Sequence, residues 1–124
     1  MEPLIIASTD TTPDVYFDCN KGIMEIKGAS YDEDSTEFYH RVIEWVDNYE
    51  KEPNSTVVLN FHLKYLNSSS TYSLYELLKR FSEFKAKGVH VTVNWFHNEE
   101  DEDIREAGEE YSELLEMKFN IKAL

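Results

Sequence analysis

Hydrophobic and polar residues alternate along two segments of the chain, which predicts β-strands at 56–66 and 89–96. In the first segment apolar residues hold the odd positions from Val57 onward, and polar residues such as Asn60 and His62 fall between them. A parallel strand covered on both faces would be apolar throughout. The alternation therefore predicts a sheet with one buried face and one largely polar face.

Three other segments show apolar residues at helical spacing. The predicted helices cover 35–51, 71–87 and a stretch within 99–116. Asp34 and Glu37 stand at capping-box spacing before the first helix, and Gly88 is a suitable C-cap for the second. Shorter apolar runs predict four further strands, at 4–7, 15–17, 22–27 and 119–121.

These elements predict one α/β domain over 1–124 with the order β-β-β-α-β-α-β-α-β. Right-handed crossovers make the strands that flank each helix parallel, and the one-sided strands place all three helices on the same face. The expected architecture is a two-layer sandwich with a mixed, mostly parallel sheet. The polar face keeps some apolar residues, such as Val58 and Phe96, so the N-terminal strand and a second subunit are both candidates to cover it.

Composition narrows the class of protein. A chain of 124 residues with 41% hydrophobic and 14% aromatic residues can bury a core. We expect a cytoplasmic protein without a membrane segment, because no long apolar run or signal peptide is visible and Cys19 has no partner for an internal disulfide. The net charge of −13 disfavours nucleic acid as a partner. A protein partner is therefore expected, and no cofactor is indicated.

Much of the negative charge lies near the C-terminus. Residues 99–116 contain ten acidic residues and one basic residue, Arg105, which gives a net charge of −9 to this segment alone. One interpretation is the solvated face of an amphipathic helix. The other is a docking surface that attracts a basic partner at long range. The sequence leaves both open.

Three hydroxyls, those of Ser68, Ser69 and Ser70, follow the strand at 56–66 and precede the second helix, whose N-terminus is expected near Ser70. The first backbone N–H groups of a helix are unpaired and its dipole is positive there, so a phosphate on one of these serines would be stabilised. The alternative is that a serine serves only as the N-cap, which contributes roughly 1 kcal/mol.

Enzymatic chemistry has weaker support. His62 and His90 fall on the same polar strand face and His97 stands next to acids, and these are residue types that bind Zn²⁺ or act as acid–base catalysts. Their spacing matches no ligand signature, and neither a Gly-rich phosphate loop nor a nucleophile elbow is present. A small metal-dependent hydrolase or metal-binding protein that uses His62, His90 and nearby acids is kept as the alternative.

Three blocks of sequence resemble the SiaC-type regulatory phosphoproteins, a family long catalogued as a domain of unknown function. The first block joins residues 28–31 (Gly-Ala-Ser-Tyr) to 37–39 and 42–45, and the second is 61–70 (Phe-His-Leu-Lys-Tyr-Leu-Asn-Ser-Ser-Ser). The third, the most specific, joins 93–96 (Val-Asn-Trp-Phe) to 101–111. The resemblance covers nearly the whole chain.

This resemblance implies a fold like that of the STAS domains, the antagonists of anti-sigma factors. It also implies a bacterial, non-catalytic partner switch without a cofactor or metal. A dedicated kinase phosphorylates the residue after the junction asparagine, which is Ser68 here, and a PP2C-type phosphatase removes the phosphate. The unphosphorylated form activates a diguanylate cyclase, which raises cyclic di-GMP and favours biofilm. The implied partner-binding residues surround the junction: Tyr65, Asn67, Ser68, Ser69, Ser70 and Tyr72.

Two positions depart from the family pattern. The family usually has Thr where this chain has Ser68, and it usually has Pro-Glu-Asn where residues 32–34 are Asp-Glu-Asp.

Overall fold

Six strands and three helices follow the predicted order in a computed structural model that describes residues 1–31 and 35–124. The strands are β1 (Leu4–Ile6), β2 (Asp14–Asp18), β3 (Ile23–Ser30), β4 (Thr56–Leu66), β5 (His90–His97) and β6 (Phe119–Ala123). The helices are α1 (Thr36–Tyr49), α2 (Ser68–Ser82) and α3 (Glu102–Leu114). Within the described ranges, no helix has both the length and the apolar character needed to cross a membrane.

The strands form one mixed sheet whose spatial order is the order of the chain, β1-β2-β3-β4-β5-β6. The first three strands pair antiparallel, and β3, β4, β5 and β6 pair parallel. Each parallel pair is joined by one helix. Right-handed crossovers that always step in the same direction along a sheet place their helices on one face, as predicted. A STAS-like relationship stays a prediction.

Aromatic contacts show that the three helices share this face. The ring of Phe17 on β2 contacts Trp45 of α1 at 5.5 Å and Phe81 of α2 at 6.1 Å between centroids. Trp95 on β5 contacts Tyr111 of α3 at 5.6 Å. Phe17 and Trp95 belong to the same continuous cluster of buried apolar residues. The core therefore lies between the sheet and a single helical layer.

The opposite face of the sheet carries the polar residues that the alternation predicted. Asn60, Asn94 and Asn120 stand in register on three adjacent parallel strands. Their side-chain amides form hydrogen bonds across the strands, at 2.9 Å from Asn94 Nδ2 to Asn60 Oδ1 and 3.3 Å from Asn120 Nδ2 to Asn94 Oδ1. The N-terminal strand does not cover this face, because β1 pairs with the edge of the sheet. That candidate cover is wrong.

The boundaries of the second helix differ from the prediction. The helix begins at Ser68, before the predicted starts at Ser70 and Thr71, and its N-cap is Asn67. Its last predicted turn is a separate 3-10 segment, Glu83–Lys87, which ends at Gly88 with φ 82° as expected of a C-cap. The third helix begins at Glu102, capped by Asp101. The predicted capping box before α1 involves Asp34, which lies outside the described residues.

The third helix sits unusually close to the sheet at Gly108. A Cβ atom at this position would lie 2.4 Å from the indole ring of Trp95, which is closer than real Cβ contacts. The indole Nε1 of the same tryptophan donates a buried hydrogen bond of 2.8 Å to the carbonyl of Ile104. The missing side chain at Gly108 therefore lets the helix rest directly on Trp95.

This close approach predicts that Gly108→Ala destabilises the fold by about 1–3 kcal/mol, because the added methyl group overlaps the fully buried Trp95. Helix propensity alone predicts that this substitution stabilises the protein, since Ala favours a helix over Gly by roughly 1 kcal/mol. Urea unfolding of the variant measures the difference. Glu106→Ala, an exposed change in the same helix, is the control and is expected to stay within about 0.5 kcal/mol of the parent. A stabilised Gly108→Ala protein contradicts the close contact.

Candidate functional site

The candidate site is the junction where β4 runs into α2. Asn67 is the N-cap, in an extended conformation, and its side-chain Oδ1 accepts a hydrogen bond of 2.8 Å from the backbone N–H of Ser70. Its carbonyl accepts bonds from the backbone N–H and the hydroxyl of Thr71, both at 2.9 Å. The expectation that a serine would be the N-cap is therefore wrong. The three serines lie inside the first turn of the helix.

Ser68 is the first residue of α2 and is exposed. Its hydroxyl forms no hydrogen bond with any other described residue. At this position it lies beside backbone N–H groups that have no partner within the helix, at the positive end of the dipole. The first turn of α2 contains no acidic residue that would oppose an added anion. The hydroxyl of Ser68 is thus both accessible and favourably placed to carry a phosphate.

Ser70 points the other way, into the protein. It is 0% exposed, and its hydroxyl lies 2.6 Å from the hydroxyl of Ser30 at the end of β3. It also donates to the carbonyl of Ser30 at 3.3 Å, and the hydroxyl of Tyr39 lies 3.1 Å from that of Ser30. These distances fit a directional chain from Tyr39 to Ser30 to Ser70 and back to the Ser30 carbonyl. In this conformation Ser70 is out of reach of a modifying enzyme or partner.

Ser69 connects the first turn of α2 to the start of α1. Its hydroxyl lies 2.8 Å from the hydroxyl of Ser35 and accepts a bond of 3.2 Å from the backbone N–H of Ser35. The hydroxyl of Ser35 also lies 3.1 Å from that of Ser73, one turn further along α2. Two hydroxyl clusters thus hold the first turn of α2. We call the cluster of Ser30, Tyr39 and Ser70 the β3 cluster, and that of Ser35, Ser69 and Ser73 the α1 cluster.

Three exposed tyrosines surround the junction. Tyr65 on β4 stacks on Tyr31 with ring centroids 4.7 Å apart, and each is about half exposed, at 46% and 48%. Tyr72, one turn after Ser68, is 67% exposed. Tyr65 and Tyr72 were predicted partner contacts. Tyr31 was not, because the third strand was predicted to end at residue 27, whereas β3 extends to Ser30.

Tyr111 attaches the third helix to the same turn. Its hydroxyl donates a hydrogen bond of 2.7 Å to the carbonyl of Thr71. Burial is the main cause that raises the pKa of Tyr111, so the phenol stays neutral and keeps its proton for this bond. The first turn of α2 is thus held by β3, α1 and α3 together.

The three histidines of the alternative interpretation do not meet. His62 and His90 share the open face, but His62 pairs with Phe96 whereas His90 pairs with Thr56. Six residues along a strand separate them by roughly 20 Å. His97 lies on the helix side of the sheet, 5% exposed, with Nδ1 2.8 Å from the carbonyl of Asn98. Across residues 1–31 and 35–124, no three His, Cys, Asp or Glu side chains are close enough to hold a metal ion. The geometry therefore contradicts a shared site on His62 and His90.

Comparison with known proteins agrees with the architecture. The family model of the SiaC family regulatory phosphoproteins matches residues 6–124. A protein of Pseudomonas aeruginosa (strain UCBPP-PA14), described as uncharacterized, is 31% identical over 123 residues, which is 99% of this chain and 98% of the relative.

Two solved structures are closely similar. The crystal structure of apo-SiaC from Pseudomonas aeruginosa superposes with a TM-score of 0.90 at 30% identity, and the match covers 99% of this chain and 100% of the other. A SiaC chain from the crystal structure of the diguanylate cyclase SiaD in complex with its activator SiaC superposes with a TM-score of 0.89 at 30% identity, covering 98% and 99%.

The β3 cluster generates a prediction about alkaline pH. Burial raises the pKa of Tyr39 to about 12, against a smaller opposing effect of its hydrogen bond with Ser30. The fold therefore favours the protonated phenol, and this stabilisation is complete below about pH 10 and is lost as the pH rises toward about 12.

Between about pH 8 and about pH 11, we expect the free energy of unfolding of Tyr39→Phe to fall by about 1 kcal/mol less than that of the parent. Urea unfolding at both pH values measures this difference. Tyr49 and Tyr111, whose pKa values are also raised by burial, remain in both proteins and provide the common background. Equal losses in the two proteins would show that Tyr39 is not held neutral by the fold.

Proposed function

Because this chain belongs to the SiaC family of regulatory phosphoproteins, we propose that it is a phosphorylation-controlled partner switch acting on a diguanylate cyclase. The SiaC chain of similar structure was solved in complex with the diguanylate cyclase SiaD, which it activates. In the proposed cycle the unphosphorylated chain binds and activates its cyclase. A dedicated kinase ends the interaction by phosphorylating Ser68, and a PP2C-type phosphatase restores it.

The observation that carries the proposal is the unequal placement of the three serines. Ser68 offers an exposed hydroxyl that bonds to no described residue, whereas Ser69 is bonded to Ser35 and Ser70 is buried against Ser30. A kinase must bring the acceptor oxygen in line with the phosphate of its nucleotide. Only Ser68 meets this requirement without breaking a hydroxyl cluster. This supports the same residue that the family resemblance indicates.

The proposed partner surface is the exposed part of the junction. Tyr65 and Tyr72 provide large aromatic area beside Ser68, and aromatic residues dominate the energetic centres of protein interfaces. Asn67 and Ser69 contribute at the edge, and Ser70 contributes from inside by fixing the turn. Tyr31, stacked on Tyr65, extends the same surface.

Phosphate acts locally in this scheme. A phosphoserine carries about −1.5 to −2 charges at neutral pH, which adds little to the long-range field of a chain with net charge −13. A partner packed on Tyr65 and Tyr72 would have to bury that charge without a counter-charge, which is strongly unfavourable. The N-terminal end of the α2 dipole, with the backbone N–H groups of Ser68 and Ser69 that bond to no described residue, stabilises the phosphate in the free protein. The modification therefore expels the partner and leaves the fold intact.

The chain itself is not an enzyme in this proposal. It acts in the bacterial cytoplasm as a single regulatory domain over 1–124, and the catalysis belongs to the cyclase, the kinase and the phosphatase. The output is the concentration of cyclic di-GMP, which favours biofilm when it rises.

The acceptor assignment can be tested by co-expressing the chain with its cognate kinase and mapping the phosphate by mass spectrometry. We expect a single phosphate on Ser68, and none on Ser68→Ala. That variant should unfold within about 0.5 kcal/mol of the parent, since Asn67 provides the cap. Ser70→Ala is the matched control. It should keep the phosphate but lose about 1–3 kcal/mol of stability, because it removes one of the two hydroxyls that bond to buried Ser30. A phosphate found on Ser69, Ser70 or Thr71 alone refutes the assignment.

The switch is tested with the Ser68→Asp variant and the cognate cyclase. We expect binding to be lost while the circular dichroism spectrum is unchanged and the melting temperature stays within about 5 °C. Ser68→Asn, which has nearly the shape of the Asp variant but no charge, is the control. It should retain most of the affinity, since the loss of binding comes from the buried charge. Binding is measured by calorimetry, and cyclase activity is measured in parallel. Equal affinity of the cyclase for unmodified and fully phosphorylated chain would rule out the mechanism.

A further inference from the structure

A groove runs between α2 and α3 and begins beside the phosphoacceptor turn. It consists of two adjoining hollows that share Thr71 and Ala107 in their walls. The upper hollow, of about 280 Å³, lies beside Tyr65 and Asp103, and the lower hollow, of about 260 Å³, lies beside Tyr75 and Leu114. Thr71 lies in the same helical turn as Ser68, so the groove is continuous with the candidate site. We call it the α2–α3 groove.

Apolar side chains line the groove. Tyr72 and Tyr75 form the α2 wall of the lower hollow, while Ala107, Tyr111 and Leu114 form its floor and α3 wall. Tyr72 and Leu114 are 67% and 60% exposed, although the helices they belong to are packed on the sheet. Exposed apolar area that lines a concave surface is typical of a binding site for another molecule.

Two carboxylates stand on the α3 wall at a regular interval. Asp103 lines the upper hollow and Glu110 the lower one, seven residues apart in the sequence, or about 10 Å along the helix axis. Neither forms an ion pair with any described residue. The nearest base on α3, Arg105, is engaged with Glu109 at 2.7 Å, and Lys64 lines only the upper hollow. Asp103 and Glu110 are therefore two carboxylates one heptad apart without an ion pair to a described residue, and Asp101, the N-cap of α3, adds a third carboxylate to the upper hollow.

The groove follows α3, with lining residues from Asp103 to Leu114. The third helix has 13 residues and therefore spans about 20 Å, which is the length of a partner helix of similar size. Its side chains Asp103, Ala107, Glu110 and Leu114 recur every three or four residues and so face the groove as one stripe. The small side chain of Ala107, between the two carboxylates, leaves a hole that a partner's leucine would fill. This is the geometry by which an amphipathic helix docks in a groove.

We propose that the α2–α3 groove receives an amphipathic helix of a partner protein, whose apolar stripe fills the groove and whose two Lys or Arg residues, one heptad apart, pair with Asp103 and Glu110. This inference rests on the proposed function, because it defines the surface by which the regulated partner approaches Ser68. It also explains why a partner with basic residues is expelled by phosphate. Those residues are matched to the α3 wall, whereas Ser68 lies just outside the groove, in the same turn of α2 as Thr71, where the proposed partner contributes apolar area.

A pair of synthetic peptides tests the proposal without the cyclase or the kinase. Each is a helix of about 16 residues with a leucine stripe, and the two differ only in carrying lysine or glutamate at two positions one heptad apart. Fluorescence anisotropy against the full chain at about 0.15 M salt gives the affinities, and amide chemical shifts locate the contact.

Two charge-reversal variants provide a matched comparison. Asp103→Lys with Glu110→Lys reverses the groove carboxylates. Glu102→Lys with Glu109→Lys makes the same change of charge, at the same spacing and in the same helix, on the side turned away from the groove. Circular dichroism confirms that both variants fold.

The lysine peptide should bind the parent with shifts at Tyr72, Tyr75 and Ala107. It should bind the groove variant about tenfold more weakly and the control variant within about twofold of the parent. The glutamate peptide should show the reverse preference and bind the groove variant best. Equal loss in both variants would show that only net charge matters and would overturn the proposal, as would shifts on the open sheet face or no binding by either peptide. Because phosphorylation and the cyclase play no part in this assay, its failure leaves the proposed function standing, and failure of the Ser68 tests leaves the groove result standing.

Discussion

The geometry of the junction depends on one buried contact, the hydrogen bond between the hydroxyls of Ser30 and Ser70. It fixes the first turn of α2 to the end of β3, and the α1 cluster and the bond from Tyr111 to Thr71 hold the same turn from two other sides. Removing one member of such a network leaves a buried hydroxyl without a partner, which costs more than the bond itself contributes. The turn therefore has one well-defined orientation, with Ser70 inside and Ser68 outside. The hydroxyl of Ser68 is exposed because buried contacts fix the orientation of this turn.

The sequence allowed most of the fold to be predicted because each strand is buried on one face only. The alternation in β4 and β5 indicated the covered face, and a sequential strand order with right-handed crossovers then placed the helices. The start of α2 was missed for a physical reason. Three consecutive serines have only modest helix propensity and favour caps, whereas in the structure Asn67 takes the cap and the hydroxyl clusters offset the weak propensity of the serines. These are contacts over more than thirty residues of sequence, and no local pattern contains them.

The site could be predicted only where a side chain that can be modified stands between two elements recognisable in the sequence. The local pattern of hydroxyls between a strand and a helix indicated three candidates, Ser68, Ser69 and Ser70, and only the family resemblance selected Ser68 among them. Tyr31 was missed because the third strand was predicted to end at residue 27, and the irregularity between Gly28 and Ala29, which shifts the register before Tyr65, has no local signature. The pair His62 and His90 shows the converse error. Alternation correctly placed both on one face, but periodicity contains no information on the offset between strands, and the register separates them by roughly 20 Å.

The acidic residues of α3 fall into two groups, one that lies in solvent and one that flanks the α2–α3 groove. The acidic face of α3 lies mostly in solvent, where like charges at distances above about 8 Å are screened at physiological salt, so it affects the rate of encounter more than the final affinity. Asp103 and Glu110 differ from their neighbours because they flank a groove from which a bound helix would exclude water, and there a matched charge contributes to the stability of the complex. Ser68 lies just beyond the groove, in the same turn of α2 as Thr71, where the proposed partner would desolvate a phosphate without pairing it. The groove can therefore require a basic partner, and a phosphate added beside it can still prevent that partner from binding. The position of the added charge, and not its sign alone, decides whether it is paired.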